Sequence, residues 1–210
     1  MREKLIIIGA GGFAKSVLDS LDLNRYDVVG FVDSFKDIGT SYLGYCVLAN
    51  DIKSLKDKEN YKYFIAIGNN RYRYEKYQIL KEYGLETITV VDSTAFVSHM
   101  AKIGVGVYIG KLVIVNSCSV IGDNTIVNTK ALVEHGNRIG NHCNISTNVT
   151  LNGDVSVGDF SFIGSSCVTN GQITIGTNAL IGSGSVIIRN VPDNVVVAGV
   201  PAKYLRDNHE

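Results

Sequence analysis

Two architectures in series are predicted for this chain: a small α/β unit over residues 1–92, and a parallel β-solenoid with a C-terminal cap over residues 93–210. Stepping by six from Val97 lands on Ile103, Ile109, Val115, Ile121, Val127, Val133, Ile139, Ile145, Leu151, Val157, Ile163, Thr169, Ile175, Ile181 and Ile187, so a single position departs from the aliphatic series. Glycine follows at 104, 110, 122, 140, 158, 164, 176 and 182, and small side chains stand two places before the aliphatic at Ala95, Ala101, Ser119, Thr125, Ala131, Ser161, Ala179 and Ser185. A six-residue period of this kind marks a parallel β-helix. The first 92 residues lack it and alternate apolar runs with helical patterns, as a parallel sheet requires.

Lys4–Ile8 is a buried-type strand, followed by Gly9-Ala10-Gly11-Gly12-Phe13-Ala14 and a helix with Val17, Leu18 and Leu21 on one face. Val28–Val32 is a second strand and ends in Asp33. Glycines after a strand let a phosphate approach the backbone at a helix N-terminus, and an acidic residue about twenty positions on can take a ribose hydroxyl. Gly9, Gly11, Gly12 and Asp33 fit that dinucleotide fingerprint in a Gly-x-Gly-x-x-Ala form, although the same glycines also serve a tight turn without a ligand. Asp51 caps a short helix through Ile52 and Leu55; Tyr63–Ile67 is a strand ending in Gly68-Asn69-Asn70; Arg71–Tyr83 is a helix with Tyr74, Tyr77, Leu80 and Tyr83 toward the sheet; Thr87–Val91 is a further strand. These elements make a Rossmann-like unit of about four parallel strands, enough for a nucleotide, with Gly9, Gly11, Gly12, Asp33, Gly68 and Asn69 at the carboxyl edge where such sheets bind ligands.

In the solenoid, each hexad is a short strand of β-branched residues and a corner, where Gly or Asn takes positive φ. Three hexads close a coil, so residues eighteen apart stack about 4.8 Å from one another. The aliphatic rungs point inward, and only stacking of coils buries them. Thr169, beside Asn170-Gly171, predicts a bulge or small loop. Past Asn190, the sequence Pro192, Val195–Val197 and Pro201 predicts a cap on the open end.

Lys plus Arg equals Asp plus Glu at 20 each, with no block of either sign, which removes a general electrostatic case for nucleic acid or membrane surfaces. The apolar run Leu5–Ile8 stops at Gly9, too short for a signal peptide, and no membrane-spanning stretch follows, so a cytoplasmic protein is expected. Cys46, Cys118, Cys143 and Cys167 have no metal-ligand spacing; Cys143 and Cys167 fall at the small hexad position and read as buried thiols, and no metal is expected.

Of His99, His135, His142 and His209, one stands out. His135 lies two residues past the Val133 rung, at a corner where a small turn residue is expected, and projects from the solenoid edge. Spacing alone leaves it either a catalytic imidazole or an idle surface histidine. Gly153 is eighteen residues on and should lie directly above it, with a backbone amide unshielded by a Cβ. His142 reads as a surface residue or a subunit contact. Gly164-Ser165 and Gly182-Ser183 are likewise eighteen apart and line a groove of small residues, or are merely corner residues.

The hexads, the Val133-Glu134-His135 segment and the ending Ala198-Gly199-Val200-Pro201-Ala202-Lys203 resemble the left-handed β-helix acyltransferases that use acetyl-CoA. The left hand is implied by this resemblance alone, since the crossover rule for parallel strands favours the opposite one. Ile8-Gly9-Ala10-Gly11-Gly12, Phe31-Val32-Asp33 and Phe64-Ile65-Ala66-Ile67-Gly68-Asn69-Asn70-Arg71 resemble the N-terminal domain of bacterial sialic acid O-acetyltransferases and nucleotide-4-amino-sugar N-acetyltransferases. Phe13 stands where several of those proteins carry a His, and Asn144 where some carry a second one. The resemblance implies acetyl-CoA as cosubstrate without a metal, a nucleotide-linked amino sugar as acceptor, and a homotrimer with active sites between subunits. It implies catalysis by His135 with Gly153 facing the carbonyl oxygen. Glu134, next to His135 in sequence, is the candidate to orient the ring, a contact that only corner geometry allows since strand neighbours point to opposite faces. The resemblance further implies CoA along Gly164, Ser165, Gly182 and Ser183, with Lys203 near a phosphate. O-acetylation of a sugar hydroxyl, a nicotinamide-dependent oxidoreductase and a non-catalytic scaffold are the competing readings.

Overall fold

A computed structural model describes residues 2–209. Contacts divide the chain between Val90 and Val91. The N-terminal unit contains strands β1 (Glu3–Ile8), β2 (Tyr26–Val32), β3 (Ser41–Tyr42), β4 (Tyr45–Ala49) and β5 (Lys62–Ile65), and helices α1 (Gly12–Ser20) and α2 (Asn70–Glu82). The sheet order is β3-β4-β2-β1-β5, in which β1, β2, β4 and β5 run parallel and β3 closes a hairpin on β4. β1 sits between β2 and β5, which is why Leu5, Ile6, Ile7 and Ile8 are all buried with no alternation.

Three details differ from expectation. The β3–β4 hairpin turns through Leu43 and Gly44, both at positive φ; a Leu-Gly pair carries little of the signal that Asn-Gly would, so this hairpin is invisible in the sequence. The strand expected at Thr87–Val91 touches this sheet only by a bridge from Tyr63 to Thr87. In α2, Tyr77 and Leu80 are buried as expected, whereas Tyr83 is exposed and Arg73 takes a core position.

From Val91 onward the chain is a left-handed parallel β-helix of two-residue strands on three faces. The eighteen-residue register holds on each face: Ile114 and Val115 pair with Leu132 and Val133, Val120 and Ile121 with Arg138 and Ile139, and Ile126 and Val127 with Asn144 and Ile145. Ile109, Val115, Val127, Val133, Ile145, Leu151, Ile163, Ile175 and Ile181 form the sealed central column. Each such side chain contributes about 1.5–3 kcal/mol of burial.

The corners work differently from the expected scheme. Positive φ falls two residues beyond the glycine column, at Gly106, Leu112, Cys118, Asn124, Lys130, Gly136, His142, Asn148, Asp154 and Phe160. The column glycines answer a steric demand instead: a Cβ on Gly122 would lie 2.6 Å from Gly140 C, and one on Gly158 2.5 Å from Thr177 N. Coils stacked at strand spacing leave no room there for a side chain.

No residue is inserted at Thr169. It is buried, pairs with Ile187, and its hydroxyl accepts from Asn152 N–H at 3.1 Å, substituting for a ladder contact to Leu151. The solenoid ends on a shortened coil: Thr174 and Thr177 N–H bond side chains sixteen residues on, Asn190 and Asp193. Val195–Ala198 then pairs parallel to Leu180–Ile181 and Lys203–Asp207 folds back antiparallel upon it. Among the described residues no helix is long and apolar enough to cross a membrane.

Replacing Ile163, wholly buried in the column, by Ala should destabilise the protein by about 2–5 kcal/mol, read as a lower midpoint in denaturant unfolding; a midpoint equal to the parent's would show that the column does not hold the coils.

Candidate active site

The corner after Leu132–Val133 is tied to coils on both sides. Glu134 N–H donates to Leu151 O at 3.0 Å, while Glu134 O accepts from Ser119 Oγ at 2.7 Å and Asn137 Nδ2 at 2.5 Å. Asn137 is fully buried, and its Oδ1 accepts from Val155 N–H at 3.0 Å. A buried amide satisfied on both atoms fixes a backbone turn, because losing either bond strands a polar group away from water. The His135 side chain leaves this turn outward and is 64% exposed.

Gly153 stands one coil further along the same edge. Asp154 N–H donates to His135 O at 2.9 Å, which sets the two segments side by side. A Cβ on Gly153 would lie 2.5 Å from His135 Cε1 and 2.7 Å from Nε2, so the imidazole occupies space that only glycine leaves open. Among the described residues the Gly153 N–H donates to no group. The next coil brings Gly171, whose Cβ would meet Gly153 O at 2.9 Å. The result is an edge with an exposed base, an available amide and bare backbone beyond them.

Glu134 touches the turn and not the ring. Its Oε2 accepts from Asn116 Nδ2 at 3.0 Å and from the His135 backbone N–H at 3.3 Å. The carboxylate facing the ring belongs to Asp154, whose Oδ2 is 3.9 Å from His135 Nδ1. Asp154 escaped the sequence reading, although the eighteen-residue step that located Gly153 also places Asp154 over Gly136.

Gly164, Ser165, Gly182 and Ser183 lie on a different edge. They occupy corners that lead into the face holding Leu132–Val133, whereas His135 and Gly153 occupy corners that leave it. A Cβ on Gly164 would lie 2.6 Å from Ile181 O and Ser183 N, so its missing side chain is demanded by packing between coils. Lys203, with Arg189 and Tyr204, lines a cavity of about 420 Å³ at the cap.

The N-terminal unit has its own cavity, of about 270 Å³, lined by Gly9, Gly11, Gly12, Asp33, Gly68, Phe35, Tyr72 and Lys76 among others. Gly9 is held at φ +96° with no room for a Cβ beside Ile67 and Ala66. Gly11 and Gly12 differ: a Cβ on either would meet nothing within 4 Å, so the space beside them is open. Asp33 buckles the loop, its Oδ2 accepting from Ala10 N–H at 2.6 Å and Oδ1 from Phe35 N–H at 2.8 Å. Asn69 is not among the lining residues; its Oδ1 caps α2 through Tyr72 N–H. The loop before α2 is held by buried Arg73, which donates to Ile67 O, Gly68 O and Asn70 Oδ1. Phe35 is 86% exposed and its ring centroid lies 6.3 Å from that of Tyr72, an aromatic lip that sequence patterning did not single out.

His142, expected at the surface, is buried: Nδ1 is 2.9 Å from Asn124 Nδ2 and the ring is 5.0 Å from Phe160. These are left-handed corner residues eighteen apart, so the ring stacks along the edge instead of standing out from it. Asn144 is buried as well. His99 and His209 are exposed. All four cysteines are free thiols; Cys143 and Cys167 are buried, and burial pushes the Cys167 thiol up from its ordinary value. Among the described residues no group of three His, Cys, Asp or Glu side chains could hold a metal ion.

Parallel coils of hexads with a histidine presented at an edge are the architecture of the hexapeptide-repeat acyltransferases. Residues 4–80 match the PglD N-terminal domain family. Perosamine N-acetyltransferase from Caulobacter crescentus, in a histidine-to-asparagine mutant bound to CoA and GDP-perosamine, is 34% identical, with 97% of each chain covered and a TM-score of 0.89. The acetyltransferase domain of PglB from Neisseria gonorrhoeae in complex with acetyl coenzyme A is 33% identical over 98% of this chain and 100% of that one, at a TM-score of 0.90. WeeI from Acinetobacter baumannii is 26% identical over 97% of this chain and 100% of that one, at 0.86. The chain therefore belongs to the hexapeptide-repeat sugar acetyltransferases, acetyl-CoA-dependent enzymes.

Replacing Asn137 by Ala should lower stability by about 1–3 kcal/mol, because Val155 N–H and Glu134 O lose their buried partner. Chemical denaturation measures this, and an unchanged unfolding free energy would remove Asn137 as the anchor of the His135 turn.

Proposed function

We propose that this enzyme transfers the acetyl group of acetyl-CoA to the 4-amino group of a nucleotide-linked amino-deoxy sugar, in glycan biosynthesis, with His135 as general base. The observation that carries this reading is the placement of His135 Nε2 against the bare Gly153 backbone, in a chain similar over nearly its whole length to an N-acetyltransferase bound to CoA and GDP-perosamine. An amine needs a proton removed as it attacks, and imidazole titrates near neutral pH. The nitrogen lone pair attacks the thioester carbonyl and the C–N bond forms. Charge gathers on the carbonyl oxygen, toward which the Gly153 N–H points in this scheme. The C–S bond then breaks, and the proton taken by the imidazole passes to sulfur, giving free CoA and the amide. The amine attacks the thioester directly in this scheme, without a covalent acyl-enzyme.

Residues 1–92 serve as the nucleotide-sugar domain and residues 93–210 as the acetyltransferase domain. In the N-terminal cavity, the open space over Gly11 and Gly12 suits a diphosphate at the start of α1, Lys76 adds positive charge, and Asp33 retains lone pairs for a ribose hydroxyl. Gly68 lines the same cavity, and Asn69 supports it by capping α2. Gly164, Ser165, Gly182 and Ser183 form the pantetheine groove, with Lys203 toward the CoA phosphates. In this reading the working unit is a homotrimer in which the groove of one protomer faces the histidine of its neighbour; the position of those residues and His135 on different edges of one solenoid supports it. The cytoplasm, which supplies acetyl-CoA, is the compartment this reading requires.

A screen of UDP-, dTDP- and GDP-linked 4-amino sugars with acetyl-CoA, read by thiol release, should give turnover with at least one, and His135→Ala should lower kcat by about 10²–10⁴. Turnover confined to sugar hydroxyls would reassign the enzyme to O-acetylation, and full activity in His135→Ala would remove the base. Gly12→Val should leave thermal stability near that of the parent, because its side chain enters open space, while raising KM for the nucleotide sugar at least tenfold; an unchanged KM would move the nucleotide elsewhere.

A further inference from the structure

We infer that Asp154 is the positioning carboxylate of the catalytic histidine, supplied from the following coil into a space that Gly136 leaves for it; this rests on the assignment of His135 as base. Neither sequence neighbour of His135 supplies such a group. Glu134 is committed to Asn116 Nδ2 and the His135 backbone N–H. On the other side, Gly136 has no side chain.

Gly136 is nevertheless informative. It sits at φ +70°, and a Cβ built on it would fall on the Asp154 carboxylate. Cys118, Gly136, Asp154 and Gln172 form one left-handed corner column, at φ 63°, 70°, 59° and 58°. Any side chain at 136 would compete with the Asp154 carboxylate for its place beside the ring. The Asp154 N–H to His135 O bond fixes the coil offset, and Asp154 Oδ2 stands 3.9 Å from His135 Nδ1. That separation suits an ion pair with the imidazolium or a contact through one water. The remaining titratable groups around the ring are Glu134, already engaged, and Cys118, one coil below Gly136; Gly153 and Gly171 on the far side carry no charge.

The placement divides the two ring nitrogens. A carboxylate on the Nδ1 side favours the tautomer with its proton on Nδ1, leaving the Nε2 lone pair toward Gly153, where the acceptor nitrogen arrives. When Nε2 takes the acceptor's proton, the ring becomes a cation and Asp154 stabilises it as an anion. Asp154 itself takes no proton, so no further acid or base is needed.

Asp154→Asn tests this with little disturbance, because Asn accepts left-handed backbone as readily as Asp and keeps the bond to His135 O. The expected result is a fall in kcat of about tenfold, short of the loss from removing the base, with KM for acetyl-CoA within about twofold. The acid limb of the kcat/KM profile should move to lower pH, since removing a nearby anion weakens proton binding to the ring. Asp154→Glu should recover part of the rate. Gly136→Asn, which also suits left-handed backbone but pushes the carboxylate aside, should shift the same limb. In the protein without substrates, the His135 Cε1–H resonance, assigned by its loss in His135→Ala, should titrate at lower pH in Asp154→Asn. An acid limb and a resonance that both stay at the parental pH would overturn the inference. Full activity in His135→Ala would instead overturn the underlying assignment, and the resonance shift separates the two failures because it does not depend on turnover.

Discussion

The eighteen-residue hydrogen-bonded register between coils is the constraint on which the rest of the solenoid depends. It places like positions above one another, so a single residue type at one hexad position becomes a column along the molecule. Inward, that yields the sealed stack from Ile109 to Ile181. Outward, it yields edges whose chemistry is composed one coil at a time. The approach of Gly153 to His135 is therefore no local accident; it follows from the same bonds that set Val133 against Leu151.

Corners carry the structural cost of the fold and present the His135 side chain. Regular corners bring backbones so close that the residue after the rung must be glycine or a residue whose side chain turns away, as at Gly122 and Gly158. One place after the column glycines 122, 140 and 158, Asp123, Asn141 and Asp159 each accept a backbone N–H from the coil before, a ladder of side-chain caps. His135 belongs to no such ladder. Its side chain stands in the open while the turn that carries it is held through Asn137 by hydrogen bonds to Glu134 O and Val155 N–H.

What could be read in advance follows from this geometry. The rungs, the coil length and the pairing of His135 with Gly153 are consequences of period, and period is written in side-chain identity. The location of positive φ was not, because the register forces it on Leu112, Lys130 and Phe160 as firmly as on Gly106, and propensity is overruled. In the α/β unit the glycine loop and Asp33 were legible as a motif, but Asp33's use of both oxygens on Ala10 and Phe35 amides depends on a tertiary approach no pattern shows. Arg73 was hidden for the same reason: within a helix of tyrosines and lysines, nothing marks the one cation that turns inward to hold a loop. Asp154 lies eighteen residues after Gly136, so period places it one coil on, but its approach to the His135 ring depends on corner geometry that period does not carry.

The shortened closing coil bears on how these molecules behave at high concentration. A solenoid with a uniform repeat offers its terminal rungs as a template on which another copy can dock end to end, and repetition of that event grows fibres. Here the repeat drops from eighteen to sixteen at Asn190 and Asp193, and the Lys203–Asp207 strand folds back in the antiparallel sense. An incoming coil would meet mismatched corners and charged lysine and arginine side chains. The break in periodicity thus leaves the last coil without the register on which a further eighteen-residue coil would stack.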